Sequence, residues 1–346
     1  MSLINTRIQN VRSSSNLDKN ELRPSRYGGL NLFMQQTADP AGIITPELTE
    51  KAAASIGNTL QTPVIDYDGG VTIGNTRSVT IADSENTSQM HTLTFATYSW
   101  GFTIVPSNFM NNEVSIQRDF QRKFEKYLYK FGETLDAATI AALSTAKTQV
   151  IADALNYSVV GNAIQATFAK RNTIIGDINP MMAANDHFGG IHLLGNAGYE
   201  SVIRNLSEKD IYNAENKTLQ YSDKELHFST RIPNAAGEFA NAYAVQSGSV
   251  GILTRFERES ILSTQMPDGT EWGIDTLPML NFPVGTYFYE SKGNFSAQMG
   301  AATADNTRAR KEHYGFAVDV AILTPYNSDP STIANPIVKA TILSEV

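Results

Sequence analysis

An α+β fold with antiparallel sheets follows from three features of the 346-residue sequence. Residues 58–110 alternate apolar with polar side chains between Gly-rich and Asn-rich turns, which is the pattern of antiparallel hairpins. Residues 113–147 carry one long apolar stripe at the 3.6-residue helical period. Beyond Gln149, short helices and strands mix without strict βαβ alternation.

Composition narrows the possible chemistry. A chain this long corresponds to about two ordinary domains, or one elaborate one, and can bury roughly three quarters of its unfolded surface. With no Cys, disulfide scaffolds, cysteine nucleophiles, iron–sulfur clusters and cysteine-ligated zinc are excluded together. The formal net charge of −8 argues against a general nucleic-acid binder. Charged residues make up 18% of the chain, below the roughly 25% usual for a globular domain, and neutral polar residues fill the difference. Such a surface suits contact with other protein. The N-terminus has no apolar signal-peptide core, and no apolar run approaches the length of a membrane span.

Charge is also divided along the chain. Residues 1–30 hold five basic and two acidic groups, giving +3, and the remaining 22 basic and 33 acidic groups give −11. The first segment has few large apolar residues and a Ser13–Asn16 polar run, so it is expected to be a mobile arm that cannot offset its own ordering entropy. Its plainer reading is a floppy terminus. The sharper one is an arm that orders on a neighbouring copy through Arg7, Arg12, Arg23 and Arg26, and whose deletion leaves a folded body.

Thr45 is placed to cap a short helix with Pro46 at its first position, Glu47 and Glu50 in the early turns, and Gly57 as its stop. The ribbon that follows has Thr and Ser on both faces, lacks a deep core of its own, and needs something to lie on. Asn111 and Asn112 then cap a helix that opens at Glu113 and buries Ile116, Phe120, Phe124, Tyr127, Leu128, Phe131 and Leu135. Its 35 positions span about 50 Å, with Gly132 as a possible kink or break. Opposite the stripe, Arg118, Arg122, Lys126 and Lys130 recur at i+4. Like charges at that spacing repel, so the row needs nearby acids or a negative partner; a solvated helix face is the plain alternative. Later strands are expected at 191–194, 225–232, 242–246, 251–256, 286–290, 314–323 and 337–343, with a helix at 198–206.

Catalytic signatures are missing from the sequence. It contains no phosphate-binding loop, dinucleotide fingerprint, nucleophile elbow, HExxH or EF-hand pattern. His187 and His192 are the nearest histidine pair, but a spacing of five matches neither a helical face nor a common zinc motif. Asp66 and Asp68 precede Gly69-Gly70, where turn chemistry explains them better than acid/base work or cation binding. No cofactor and no metal are expected.

The order of parts is an arm, the Thr-rich ribbon 58–110, the helix Val114–Phe131 passing into Leu135–Leu143, the strand-then-helix Ile191–Leu206, and the late strand Tyr314–Leu323. This order resembles the major capsid protein of tailed bacteriophages, the Hong Kong 97-type fold. The resemblance implies an N-terminal arm with a short helix (1–57), an extended β-hairpin loop (58–112), a peripheral domain with a spine helix (113–180), an axial domain (181–258) and a return to the peripheral domain (259–346). It also implies a non-enzymatic virion protein, assembled in the host cytoplasm as hexamers and pentamers around double-stranded DNA that it contacts non-specifically. Only about 45 residues precede the first expected helix, so separate scaffolding and portal proteins are the expected partners, with no membrane involved. An encapsulin-like compartment shares the fold, a tail protein shares the ribbon, and a hydrolase or carbohydrate-binding module without a recognisable signature is the alternative of another class.

Overall fold

The computed structural model describes residues 3–13, 27–40, 42–55, 57–65, 88–109, 112–206, 212–213, 218–221, 224–255, 270–278, 280–291, 310–327 and 329–345. Along the chain come α1 (Leu3–Ser13), α2 (Gly28–Thr37) and α3 (Pro46–Ala54), then β1 (Thr59–Ile65), β2 (Ser88–Thr94) and β3 (Ala96–Ile104). The 34-residue helix α4 (Glu113–Ala146) follows. Next are β4 (Ser158–Val160), β5 (Ala163–Ala166), α5 (Ile174–Ala184), β6 (Ile191–Gly195), α6 (Ala197–Leu206), β7 (Tyr212–Asn213), β8 (Thr218–Tyr221) and β9 (Lys224–Phe228). The last strands are β10 (Glu238–Gln246), β11 (Gly251–Arg255), β12 (Glu271–Leu277), β13 (Phe282–Ser291), β14 (Lys311–Leu323) and β15 (Ile337–Leu343).

The fold is α+β. Its larger sheet has the order β4-β5-β15-β10-β6-β9-β8-β7 among the described residues. A second sheet is centred on β14, which pairs with β3 along one side and with β13 and β11 end to end along the other; β12 lies outside β13. β1 and β2 form a separate antiparallel pair. Most pairings are antiparallel, but β5–β15 and β6–β9 are parallel, which corrects the expectation of antiparallel sheets throughout. The connection from β6 to β9 passes through α6, a helical crossover that brings two strands side by side in the same direction.

Helix α4 joins the two sheets. Its buried face, Ile116, Phe120, Phe124, Leu128, Phe131, Leu135, Ile140 and Leu143, shares a core with Phe316, Val318, Phe282 and Val284 of the β14 sheet. The same core takes Leu194, Tyr243, Val245 and Ile337 from one face of the larger sheet. Alternate residues of those strands, among them Leu193, Ala242, Ala244 and Val338, point the other way into a second core under α5 and α6. Each fully buried Leu, Ile or Phe contributes about 1.5–3 kcal/mol, so α4 is held mainly by its partners and little by its own propensity. Tyr127 is only half-buried, at the margin of the stripe.

Residues 3–13 pack on the body of the protein, against the expectation of a mobile arm. They form α1, whose Ile4, Ile8 and Val11 are buried in the α4 core, and Tyr27 with Leu30, Leu32 and Phe33 of α2 join them. Deleting residues 1–30 would therefore remove core side chains as well as a terminal segment. Residues 14–26 lie outside the described residues, as do the turn candidates Asp66 to Gly70. In α3, the Thr45 hydroxyl accepts from the Leu48 amide at 3.3 Å, with Pro46 at the first helical position. The ribbon 58–110 is divided: β1 and β2 pair with each other, while β3 leaves them to pair with β14 over nine residues. Helix α4 also runs unbroken through Gly132. There, an added Cβ would sit 2.9 Å from the Tyr27 ring, so this glycine provides room for α2 and does not kink the helix.

Candidate assembly and nucleic-acid interface

The outward face of α4 is built on a rigid base. Asn112 accepts from the Val114 and Ser115 amides and starts the helix in line with the acidic Glu113. Rings on the inner face lock its rotation: Phe102 lies 5.3 Å from Phe120, Phe316 5.4 Å from Phe124, and Trp100 4.8 Å from Phe131. Lys123 ties the flank down by pairing with Asp119 at 2.7 Å and donating to the Thr103 carbonyl at 2.9 Å.

On that base Arg118, Arg122, Lys126 and Lys130 are all exposed. They differ in electrostatic state. Lys130 pairs with Glu133 at 2.9 Å, and the ammonium holds the Glu133 carboxyl below its ordinary range. Arg118, Arg122 and Lys126 form no ion pair with any described residue, and the intervening Glu125 accepts from Gln121 at 2.8 Å. Three uncompensated cations thus extend over about 12 Å of helix and wind about 80° around it, since each four-residue step advances about 40°. A shallow depression lies between Arg118, Gln121, Arg122 and Glu125.

The N-terminal arginines behave differently from the expectation that they contact a neighbouring copy. Arg7 is 2% exposed and pairs with Glu312 at 3.3 Å and Glu113 at 2.9 Å, all within the chain. Tyr314 donates to Glu312 at 2.6 Å, and burial together with that hydrogen bond pushes the phenol well above its ordinary range. Arg12 pairs with Asp275 at 2.9 Å and also donates to the Thr276 carbonyl. Both arginines fasten α1 to the β14 sheet; for Arg7 the pairing is also required, because an unpaired guanidinium in that core would carry a large desolvation cost, whereas Arg12 pairs at the exposed margin. Arg23 and Arg26 lie outside the described residues.

Two polar sites escaped the sequence reading. Asp136 of α4 is 0% exposed and accepts from the Leu30 amide at 3.0 Å, the Ser229 hydroxyl at 2.7 Å and Arg231 at 3.2 Å. It serves as the anionic cap of α2, whose own preceding residue, Tyr27, offers no side-chain cap. Gly28 and Gly29 permit the approach: a Cβ on Gly28 would lie 2.2 Å from the Phe228 carbonyl oxygen, and one on Gly29 2.7 Å from the Thr139 hydroxyl. The available signal was Asp136 standing within an otherwise apolar stripe. The second site involves His192, which lies beside Glu225 and His227 and not with His187. Burial, reinforced by the neighbouring His192, pushes His227 down to about 3; burial also lowers His192, partly opposed by Glu225 and Asp39.

No protein-family model and no curated protein matches this chain. Among solved structures it is similar to the capsid of Ralstonia phage GP4, with a TM-score of 0.47, 10% identity, and 86% of each chain covered. It is also similar to the cyanophage Pam1 capsid asymmetric unit, at 0.45 and 11%, covering 85% of this chain and 87% of that one. A third is the capsid structure of the cyanophage P-SCSP1u, at 0.44 and 11%, covering 85% and 86%. No helix among the described residues is long and apolar enough to cross a membrane.

Proposed function

We propose that this chain is a structural coat protein of the Hong Kong 97 type, self-assembling into an icosahedral shell that encloses phage double-stranded DNA, without catalytic turnover. The observation that carries the reading is where the chain leaves apolar surface uncovered. Among the described residues, several large exposed apolar side chains fall on a sheet edge or on the ribbon, Val159 and Val160 on the edge strand β4, Ile274 (50% exposed) on the edge strand β12 and Met90 (57% exposed) on β2, while others, among them Val114 on α4 and Phe188 ahead of β6, stand exposed elsewhere. An exposed apolar edge is a liability for a monomer and a contact in a closed assembly. The ribbon has the same character. Its root, Leu60 and Leu93, packs with Leu48, Phe95 and Leu253, whereas Gln61, Pro63 and Met90 farther along are exposed. An isolated strand pair is marginal in water, so a neighbour completes it.

In this reading α4 is the spine of a plate that joins both sheets, hexamers and pentamers of the chain close the shell in the host cytoplasm, and separate scaffolding and portal proteins assist. Arg118, Arg122 and Lys126 supply the non-specific contact to packaged DNA, a role in which charge density matters and sequence readout does not. Sedimentation velocity on the full chain tests the reading. The wild type is expected to run as large particles or capsomers, and Ile274→Lys on the β12 edge to retain its circular dichroism while shifting toward small species. A wild type that sediments as one 37.8 kDa species at every concentration would overturn the proposal.

A further inference from the structure

We infer that His192, Glu225 and His227 form a binding site for a divalent transition-metal ion, Zn2+ being the best match to the donor set. The inference is independent of assembly, since every group involved belongs to one chain.

The parallel register of β6 and β9 sets His192 opposite Glu225 and Leu194 opposite His227, so all three polar side chains emerge on the face covered by α2. One potential ligand atom from each lies within 4.8 Å of the other two. His192 Nδ1 and Glu225 Oε2 are 3.5 Å apart, close to the edge of a tetrahedron about 3.4 Å long that metal–ligand bonds of about 2.1 Å produce. The rings of His192 and His227 stack with centroids 5.7 Å apart.

Two observations point to a cation-binding role. His192 Nδ1 and His227 Nε2 are buried and have no hydrogen-bond partner among the described residues, and His227 is 3% exposed. Leaving such atoms bare carries a desolvation cost that an ion placed between them would offset. The remaining atoms of the cluster are already held. Gln35 Nε2 donates to Glu225 Oε1 at 3.0 Å, leaving Oε2 for the ion, and the Asn31 amide lies 3.5 Å from His227 Nδ1, leaving Nε2. Both come from α2, one turn apart, in the way that outer partners orient the ligands of a metal. Two imidazoles with one carboxylate suit Zn2+, Co2+ or Ni2+ and disfavour Mg2+ and Ca2+, which take oxygen ligands.

The test uses the full chain, stripped with chelator and dialysed. Co2+ is expected to give visible d–d absorption saturating at one ion per chain, Zn2+ to abolish it by displacement and to raise the melting temperature, and Mg2+ to do neither. His192→Gln and Glu225→Gln lie at the more open side of the cluster and should fold like the wild type. Each should weaken Zn2+ binding by at least about 100-fold, and Gln35→Ala by about 10- to 100-fold. Failure of the wild type to bind Co2+ or Zn2+, or unchanged affinity in both ligand variants, would overturn the site.

Discussion

Asp136→Ala removes a fully buried carboxylate on which three donors converge. The Leu30 amide and the Ser229 hydroxyl would each lose their acceptor inside the core, at about 1–3 kcal/mol apiece. Arg231 would keep Glu133 at 3.6 Å and the Tyr27 ring at 5.3 Å, so its loss falls at the low end of what breaking a buried ion pair costs. Because these losses share one network they do not simply add, and the expected destabilisation is about 3–5 kcal/mol. For 346 residues unfolding together, an entropy of about 2.1 cal/mol/K per residue converts that to a melting-point drop of about 4–7 °C. Asp136→Asn keeps an acceptor for Leu30 but turns an amide toward a cation, and should fall between the two. Urea denaturation followed by circular dichroism reads the effect, at protein concentrations low enough that association adds nothing to stability. An Asp136→Ala midpoint within about 1 kcal/mol of wild type would show that α2 is not anchored through this carboxylate.

Gly132→Ala gives a test of sign: helix propensity alone predicts a gain of about 1 kcal/mol, whereas the buried Tyr27 ring 2.9 Å from the new Cβ predicts a loss of about 1–3 kcal/mol in the same denaturation assay. Ile8→Ala should cost about 2–5 kcal/mol if α1 is core, and almost nothing if it is a loose arm. Arg122→Glu with Lys126→Glu should leave stability within about 0.5 kcal/mol, because both side chains are exposed and unpaired among the described residues. The same pair should weaken DNA binding across all sequences and flatten its salt dependence by about two cations, measured by fluorescence anisotropy against salt.

What could be read in the sequence depended on how local the cause was. α4 was legible because its stripe repeats over many turns and Asn112 stands at its start. α3 was legible from Thr45-Pro46, and β15 from a short apolar run whose partners do not affect its length. α1 was hidden because its three buried apolar residues, Ile4, Ile8 and Val11, stand among Asn, Thr, Gln and Arg, and because the partner that lets Arg7 enter the core, Glu312, lies on β14 at the other end of the chain. α2 opens with Gly28-Gly29, which local propensity reads as a break, although the glycines are there to let Phe228 and Thr139 come close. α5 contains Pro180 and was missed for a similar reason. Alternation predicted strands within 58–110, as found in β1, β2 and β3, but could not say that β3 would choose β14 over β2. The histidine cluster was beyond reach, since only the parallel register of β6 and β9 brings His192 to His227. The basic row was visible in full; which of its members is neutralised, Lys130 by Glu133, required the folded helix.

Negative-stain electron microscopy of the purified full-length chain tests the central claim most directly. A coat protein whose sheet edges and ribbon are completed by neighbours should give closed shells or flat hexamers. A uniform field of isolated 37.8 kDa particles, unchanged by concentration or salt, would contradict it.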